Sequence, residues 1–136
     1  MGKFSPDMQL YAIVVGSSAD EFVCYTMNLL GDYGLKFILC DDIYRAVGEL
    51  AKNRNGNVLV IGRVEQLSRE HGRFFQKVSE NGFSCCCLAD AGSAHKRKQI
   101  LAVIETGAFV VNEPAEIGEV VTKLLDRAPA FIEDEF

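Results

Sequence analysis

Five short apolar runs punctuate the chain, at residues 10–15, 35–40, 57–61, 83–88 and 108–111. Each is nearly continuously apolar rather than alternating, and a stretch with helical spacing follows it. Strands that are apolar on both sides belong in a parallel sheet covered by helices on both faces. In such a sheet a site forms in the crevice at the carboxyl ends of the strands. Here the residues just past those ends are small: Gly16 and Ser17 after the first run, Gly62 after the third and Ala89 after the fourth. The pattern predicts an intact scaffold around a crevice largely emptied of chemistry.

The intervening segments carry helix signals. Ser18-Ala-Asp-Glu21 has the capping-box pattern, in which the Ser oxygen and the Glu carboxylate satisfy reciprocal amides. The helix after it would bury Phe22, Val23, Thr26, Met27 and Leu30 and end near Gly31 or Gly34. A second helix opens at Asp41 or Asp42, buries Ile43, Ala46, Val47, Leu50 and Ala51, and stops at Asn55-Gly56. A third is expected from about 68 to 82 with Phe74, Phe75 and Val78 inward. A fourth is expected from about 93 to 107 with Ile100, Leu101, Val103 and Ile104 as its apolar positions. The fifth has the cleanest spacing, with Ile117, Val120, Val121, Leu124 and Leu125 at i, i+3, i+4, i+7 and i+8. Five βα units of this kind, joined by right-handed crossovers, make one doubly wound α/β domain. It would span residues 9–127, after a lead-in of 1–8 and before an acidic C-terminal tail of 128–136.

Composition narrows the function classes. With 136 residues the chain suits a single domain with a real core, and 49% hydrophobic content is ordinary for a globular protein. No apolar run approaches the roughly 18 residues of a membrane span, and the start lacks an apolar signal segment, so a soluble, cytoplasmic protein is expected. Fourteen Lys and Arg against 19 Asp and Glu leave a net charge of −5, which disfavours nucleic acid as a partner. The five cysteines are Cys24, Cys40, Cys85, Cys86 and Cys87, an odd count with three adjacent members and no spaced pair for a metal. On a strand, Cys85 and Cys87 share one face and Cys86 takes the other, as small buried hydrophobes would. A redox-sensing role is the alternative.

The five-fold βα pattern resembles the receiver domain of bacterial response regulators, over roughly residues 9–127. Leu29-Leu30 followed by Gly34 is similar to the end of a receiver's first helix, and Ala46 stands where receivers keep a small residue in the second. Thr106-Gly107-Ala108 before the last strand and Pro114 after it resemble two further family signposts. The resemblance implies a flavodoxin-like fold with strand order 2-1-3-4-5. The family's working residues do not carry over. Where receivers end the first strand with a pair of acids that hold Mg²⁺, this chain has Gly16 and Ser17. Gly62 occupies the place of the phosphoacceptor Asp, and Ala89 that of the Ser or Thr after the fourth strand. Glu113, or Asn112 if the register slips by one, replaces the Lys before the final Pro. The chain is therefore expected to be a degenerate, non-enzymatic receiver-like module that works through protein partners and needs no cofactor.

Other residues could bring chemistry back. Gly16, Ser17 and Ser18 at a helix N-terminus, with Asp90, could hold the phosphate of a small ligand, although no fuller nucleotide fingerprint is present and a helix cap accounts for Ser18. Asp41, Asp42 or Asp90 could substitute for the missing metal-binding acids; helix capping and solvation are the plainer account. His71 and His95 have no triad-like companions and read as surface residues. The basic run His95-Lys-Arg-Lys98 opens the fourth helix, where the macrodipole disfavours cations. Receivers often meet partners near this helix, so Lys96, Arg97 and Lys98 are the candidate partner surface, and a homodimer through it is one expected form.

Overall fold

A computed structural model describes residues 10–52, 57–89 and 97–133, with the backbone alone for His71 and for residues 126–133. Its elements run β1 Leu10–Val15, α1 Glu21–Asp32, β2 Lys36–Cys40, α2 Ile43–Lys52, β3 Asn57–Arg63, α3 Val64–Leu67, α4 Arg73–Glu80, β4 Ser84–Leu88, α5 Arg97–Glu105, β5 Phe109–Val111 and α6 Ile117–Glu133. Short 3-10 turns at Glu70–Gly72 and Pro114–Glu116 precede α4 and α6. The strands form one parallel sheet in the order β2-β1-β3-β4-β5. The doubly wound architecture read from the apolar runs is therefore the observed one.

Two cores sandwich the sheet, because alternate residues of each strand point to opposite faces. On one face Ile13, Val15, Val58 and Val60 meet Ile43, Ala46 and Leu50 of α2, Val64 and Leu67 of α3, Phe74, Phe75 and Val78 of α4 and Val103 of α5. On the other, Ala12, Val14, Leu59 and Ile61 meet Phe22, Val23 and Leu30 of α1 and Ile117, Val120, Val121 and Leu124 of α6. Cys85 and Cys87 join the first core and Cys86 the second, as their alternation predicts.

Several boundaries differ from expectation, each for a local reason. β3 runs two residues past Ile61, so Gly62 lies inside the ladder opposite Cys87, and Arg63 pairs with Leu88. The third predicted helix is shortened to α4 after a 3-10 turn, because Glu70 and Gly72 both take left-handed backbone (φ 60° and 76°) that a helix cannot contain, and the separate turn α3 lies before its expected start at 68. In the fourth predicted helix only Val103 is fully buried; Leu101 and Ile104 remain 54% and 48% exposed, since the sheet can cover only one flank of α5. Ala51 is likewise exposed. α6 continues to Glu133, across the expected boundary at 127. The Asn55-Gly56 stop, Asp90, His95, Lys96, the lead-in 1–8 and residues 134–136 lie outside the described residues. Among the described residues no helix is long and apolar enough to cross a membrane.

Burial sets the thiol chemistry. It pushes the Cys86 and Cys87 thiols up to about 12 and raises those of Cys40 and Cys85, so their nucleophilic thiolates are scarce. Cys24 is exposed on α1. Reaction of the native protein with a chromogenic disulfide reagent should therefore release one equivalent promptly, and the remaining four only after unfolding in guanidinium. Loss of the fast phase in Cys24→Ser identifies the reactive thiol.

Candidate functional site

The strand register brings the expected site positions together at one end of the sheet. Val14 pairs with Ile61, so Gly16 runs beside Arg63 and next to Gly62, and Gly62 pairs with Cys87, two residues before Ala89. The Gly16 amide donates to the Cys40 carbonyl at 2.9 Å and the Ala89 amide to the Val111 carbonyl at 2.8 Å, carrying the ladder past β1 and β4. Glu113 follows β5 by two residues, and Asp41 and Asp42 follow β2.

Both glycines are packed rather than merely small. Gly16 has φ +148°, and a Cβ there would stand 2.8 Å from Val23 Cγ2. Gly62 has ordinary strand backbone, but a Cβ would lie 3.0–3.3 Å from three side-chain carbons of Leu67, which is fully buried. Any side chain at 62 would have to push the α3 leucine aside by a few tenths of an ångström.

Charge in the crevice is arranged around a residue pair that the apolar pattern did not single out. Arg63 Nε donates to Asp20 Oδ2 at 2.7 Å and Arg63 Nη2 to Asp20 Oδ1 at 2.8 Å, a bidentate ion pair between β3 and the entry of α1. The guanidinium also sits 5.3 Å from the centroid of the Phe22 ring. Asp20 is the N-cap of α1: its Oδ1 accepts from the Phe22 amide at 2.9 Å. The hydrogen bond from Arg63 holds the Asp20 carboxyl below its ordinary value; partial burial opposes this and backbone amides reinforce it.

Asp20 displaces the expected capping box at Ser18. That serine is exposed and contributes its carbonyl to the Cys24 thiol at 3.2 Å, while Ser17 Oγ accepts from the Ala19 amide. The physical reason is that a carboxylate that can both cap the helix and bind Arg63 gains more than a hydroxyl that only caps. The amides and dipole of the α1 N-terminus thus face an internal carboxylate, in the place where the Gly16–Ser18 loop would otherwise present them to an anion.

The remaining acids have local work. Asp42 Oδ1 accepts from the Arg45 amide at 3.0 Å, opening α2 as expected, and the Asp41 carbonyl accepts from Gln66 Nε2 at 3.4 Å. Beyond β5, Glu116 Oε1 accepts from the amides of Asn112 and Glu113 at 2.7 and 3.0 Å, so a second carboxylate joins Glu113 at the position expected to carry a cation. Among the described residues no three His, Cys, Asp or Glu side chains converge as metal ligands would. Arg97 and Lys98 stand exposed on the first turn of α5, away from these groups in sequence.

The chain matches no protein-family model and no curated protein. Among solved structures it is similar to the signal receiver domain of a protein described as a Luxo repressor from Vibrio parahaemolyticus. That match has a TM-score of 0.68 at 14% identity and covers 95% of this chain and 99% of that one. The fold is that of a receiver domain. A flavodoxin variant from Pseudomonas aeruginosa superposes with a TM-score of 0.44 at 16% identity, over 90% of this chain and 98% of its own, too distant to bear on function.

Two outcomes follow from the crevice geometry. Gly62→Asp should destabilise the protein by about 1–3 kcal/mol, the usual cost of overpacking a filled core, read as a lower midpoint in urea. Asp20→Asn should also destabilise, by about 1 kcal/mol, through the weakened cap and pair. Because the folded pKa of Asp20 is depressed, its contribution is fully present above the unfolded value, near 3.8, and is lost as pH falls through the folded one. The stability difference between wild type and Asp20→Asn should therefore stay constant from neutral pH to about 4 and shrink on further acidification; a difference that grows in acid would refute the assignment.

Proposed function

We propose that the chain is a receiver-like protein-interaction module of the two-component type, catalysing no reaction and not switched by aspartyl phosphorylation. One observation carries this reading: the position corresponding to the receiver nucleophile is Gly62, closed over by Leu67 and flanked by the Asp20–Arg63 pair. Acyl phosphate formation needs a carboxylate nucleophile, a divalent ion on the phosphoryl oxygens and a cation beside them. Gly62 supplies no nucleophile, the Arg63 guanidinium is engaged by a carboxylate, and Glu113 with Glu116 would repel an incoming anion.

In this reading the working surface lies on α5. Arg97 and Lys98 form a basic head, and the exposed Leu101 and Ile104 continue it one and two turns later; Lys96, the third cation of the run, lies outside the described residues. A basic and apolar surface on an acidic protein suits a protein segment with acidic and apolar side chains; a second copy of the chain is the other occupant considered. The net charge of −5 speaks against nucleic acid. Cys40, Cys85, Cys86 and Cys87 are buried hydrophobes, whereas Cys24 is exposed against expectation, and a reducing, cytoplasmic setting would keep it a thiol. The competing reading is a sensor that takes a phosphate-bearing ligand on Gly16, Ser17 and Ser18 with Gly62 and Asp90. It has the Asp20 carboxylate to contend with at the α1 N-terminus.

The test is an amide NMR titration with Mg²⁺ followed by beryllofluoride, a phosphoryl mimic. Unmoved resonances at Gly16, Gly62, Ala89 and Glu113 are expected. Saturable shifts at those positions, spreading to α5, would mean that the crevice accepts a phosphoryl group and would sink the proposal.

A further inference from the structure

Between α4 and α5 lies an open cleft of about 330 Å³. It follows from the local backbone. After the single turn of α3 the chain turns through Glu70 and Gly72 in left-handed conformation, so α4 starts only at Arg73 and is eight residues long. Facing it, Gln99, Ala102 and Thr106 lie on one flank of the α5 segment at i, i+3 and i+7. None is bulky enough to close the gap, and each helix packs on the sheet rather than on the other.

We propose that this cleft binds a small, neutral aromatic molecule that carries an N–H donor. Phe75 and Val103, each only 3% exposed, form the apolar floor of the cleft, and the exposed Ala102 adds a methyl group to its wall. Among the described residues no ionisable side chain lines it, so they offer a charged ligand no compensating partner for its lost hydration. An apolar cavity of about 150 Å³ holds benzene, so this cleft has room for roughly two fused rings. Ser68 lines the cleft through its other atoms, its Oγ being shielded from the cleft, so it offers a ligand no hydrogen bond. Thr106 Oγ1 donates to the Val103 carbonyl at 2.6 Å, which leaves only its lone pairs for a ligand, and those call for a donor. The Gln76 and Gln99 carboxamides can take either role. The residues involved are different from Leu101 and Ile104, so the inference stands apart from the interaction-module reading.

Amide NMR titration of the full chain with indole, 1-methylindole and benzoate tests it. Indole should shift Ser68, Gly72, Ala102 and Val103 along saturable curves. 1-Methylindole, which lacks the N–H, should bind about threefold to tenfold more weakly, and benzoate should leave these residues unmoved. Ala102→Phe, at an exposed position, should fill the cleft and weaken indole binding about tenfold. Thr106→Val, nearly isosteric, should remove the acceptor and weaken indole about threefold to tenfold, and decides the matter if Ala102→Phe does not fold. Non-saturating shifts, equal response to benzoate, or indole binding unchanged in the folded variants would overturn the proposal.

Discussion

The constraint on which this structure depends is that its two central strands are apolar on both sides. Ala12, Ile13 and Val14 of β1 and Leu59, Val60 and Ile61 of β3 are all fully buried, and no arrangement with helices on one face alone could cover them. Helices must therefore cover both faces, with α1 and α6 behind one surface and α2 to α5 behind the other. The same demand turns Cys86 away from Cys85 and Cys87. It also gathers the ends of β1, β3 and β4 into a single crevice, whatever chemistry those ends carry.

What occupies the crevice is a self-satisfied polar unit. Asp20 caps α1, neutralises Arg63 and ties the first crossover to the central strand, while Arg63 lays its planar cation against Phe22. Since the pair is partly exposed, its direct contribution to stability is modest, and its larger effect is organisational. It fixes how the loop after β1 leaves the sheet, and it places matched internal charge at the carboxyl end of the central strand. Glu116, bound to the amides of Asn112 and Glu113, ties down the backbone beyond β5.

The strands and the apolar faces of α1, α2 and α6 were legible in the sequence because periodicity alone specifies them. What escaped depended on contacts distant along the chain or on unusual backbone. Asp20 and Arg63 are 43 residues apart, and nothing local marks them as partners. The one available hint was a lone cation directly after the apolar run that ends at Gly62. Ser18 was a plausible cap by pattern, and only the position of Arg63 decides for Asp20. The break before α4 rests on Glu70 in a left-handed conformation, held by a hydrogen bond from the Tyr44 hydroxyl on α2; glutamate is not a residue that advertises such a turn. Leu101 and Ile104 fitted a helical stripe, yet they project beyond the sheet that would have covered them.

The close approach of Leu67 to Gly62 also constrains how this sequence can change. A side chain at 62 would press on Leu67, which must give by a few tenths of an ångström, and a small residue at 67 opposite glycine opens a void in a filled core. The two positions are thus in contact, so the effect of a substitution at one depends on the residue at the other. What either residue can become is therefore settled by the pair rather than by each position alone.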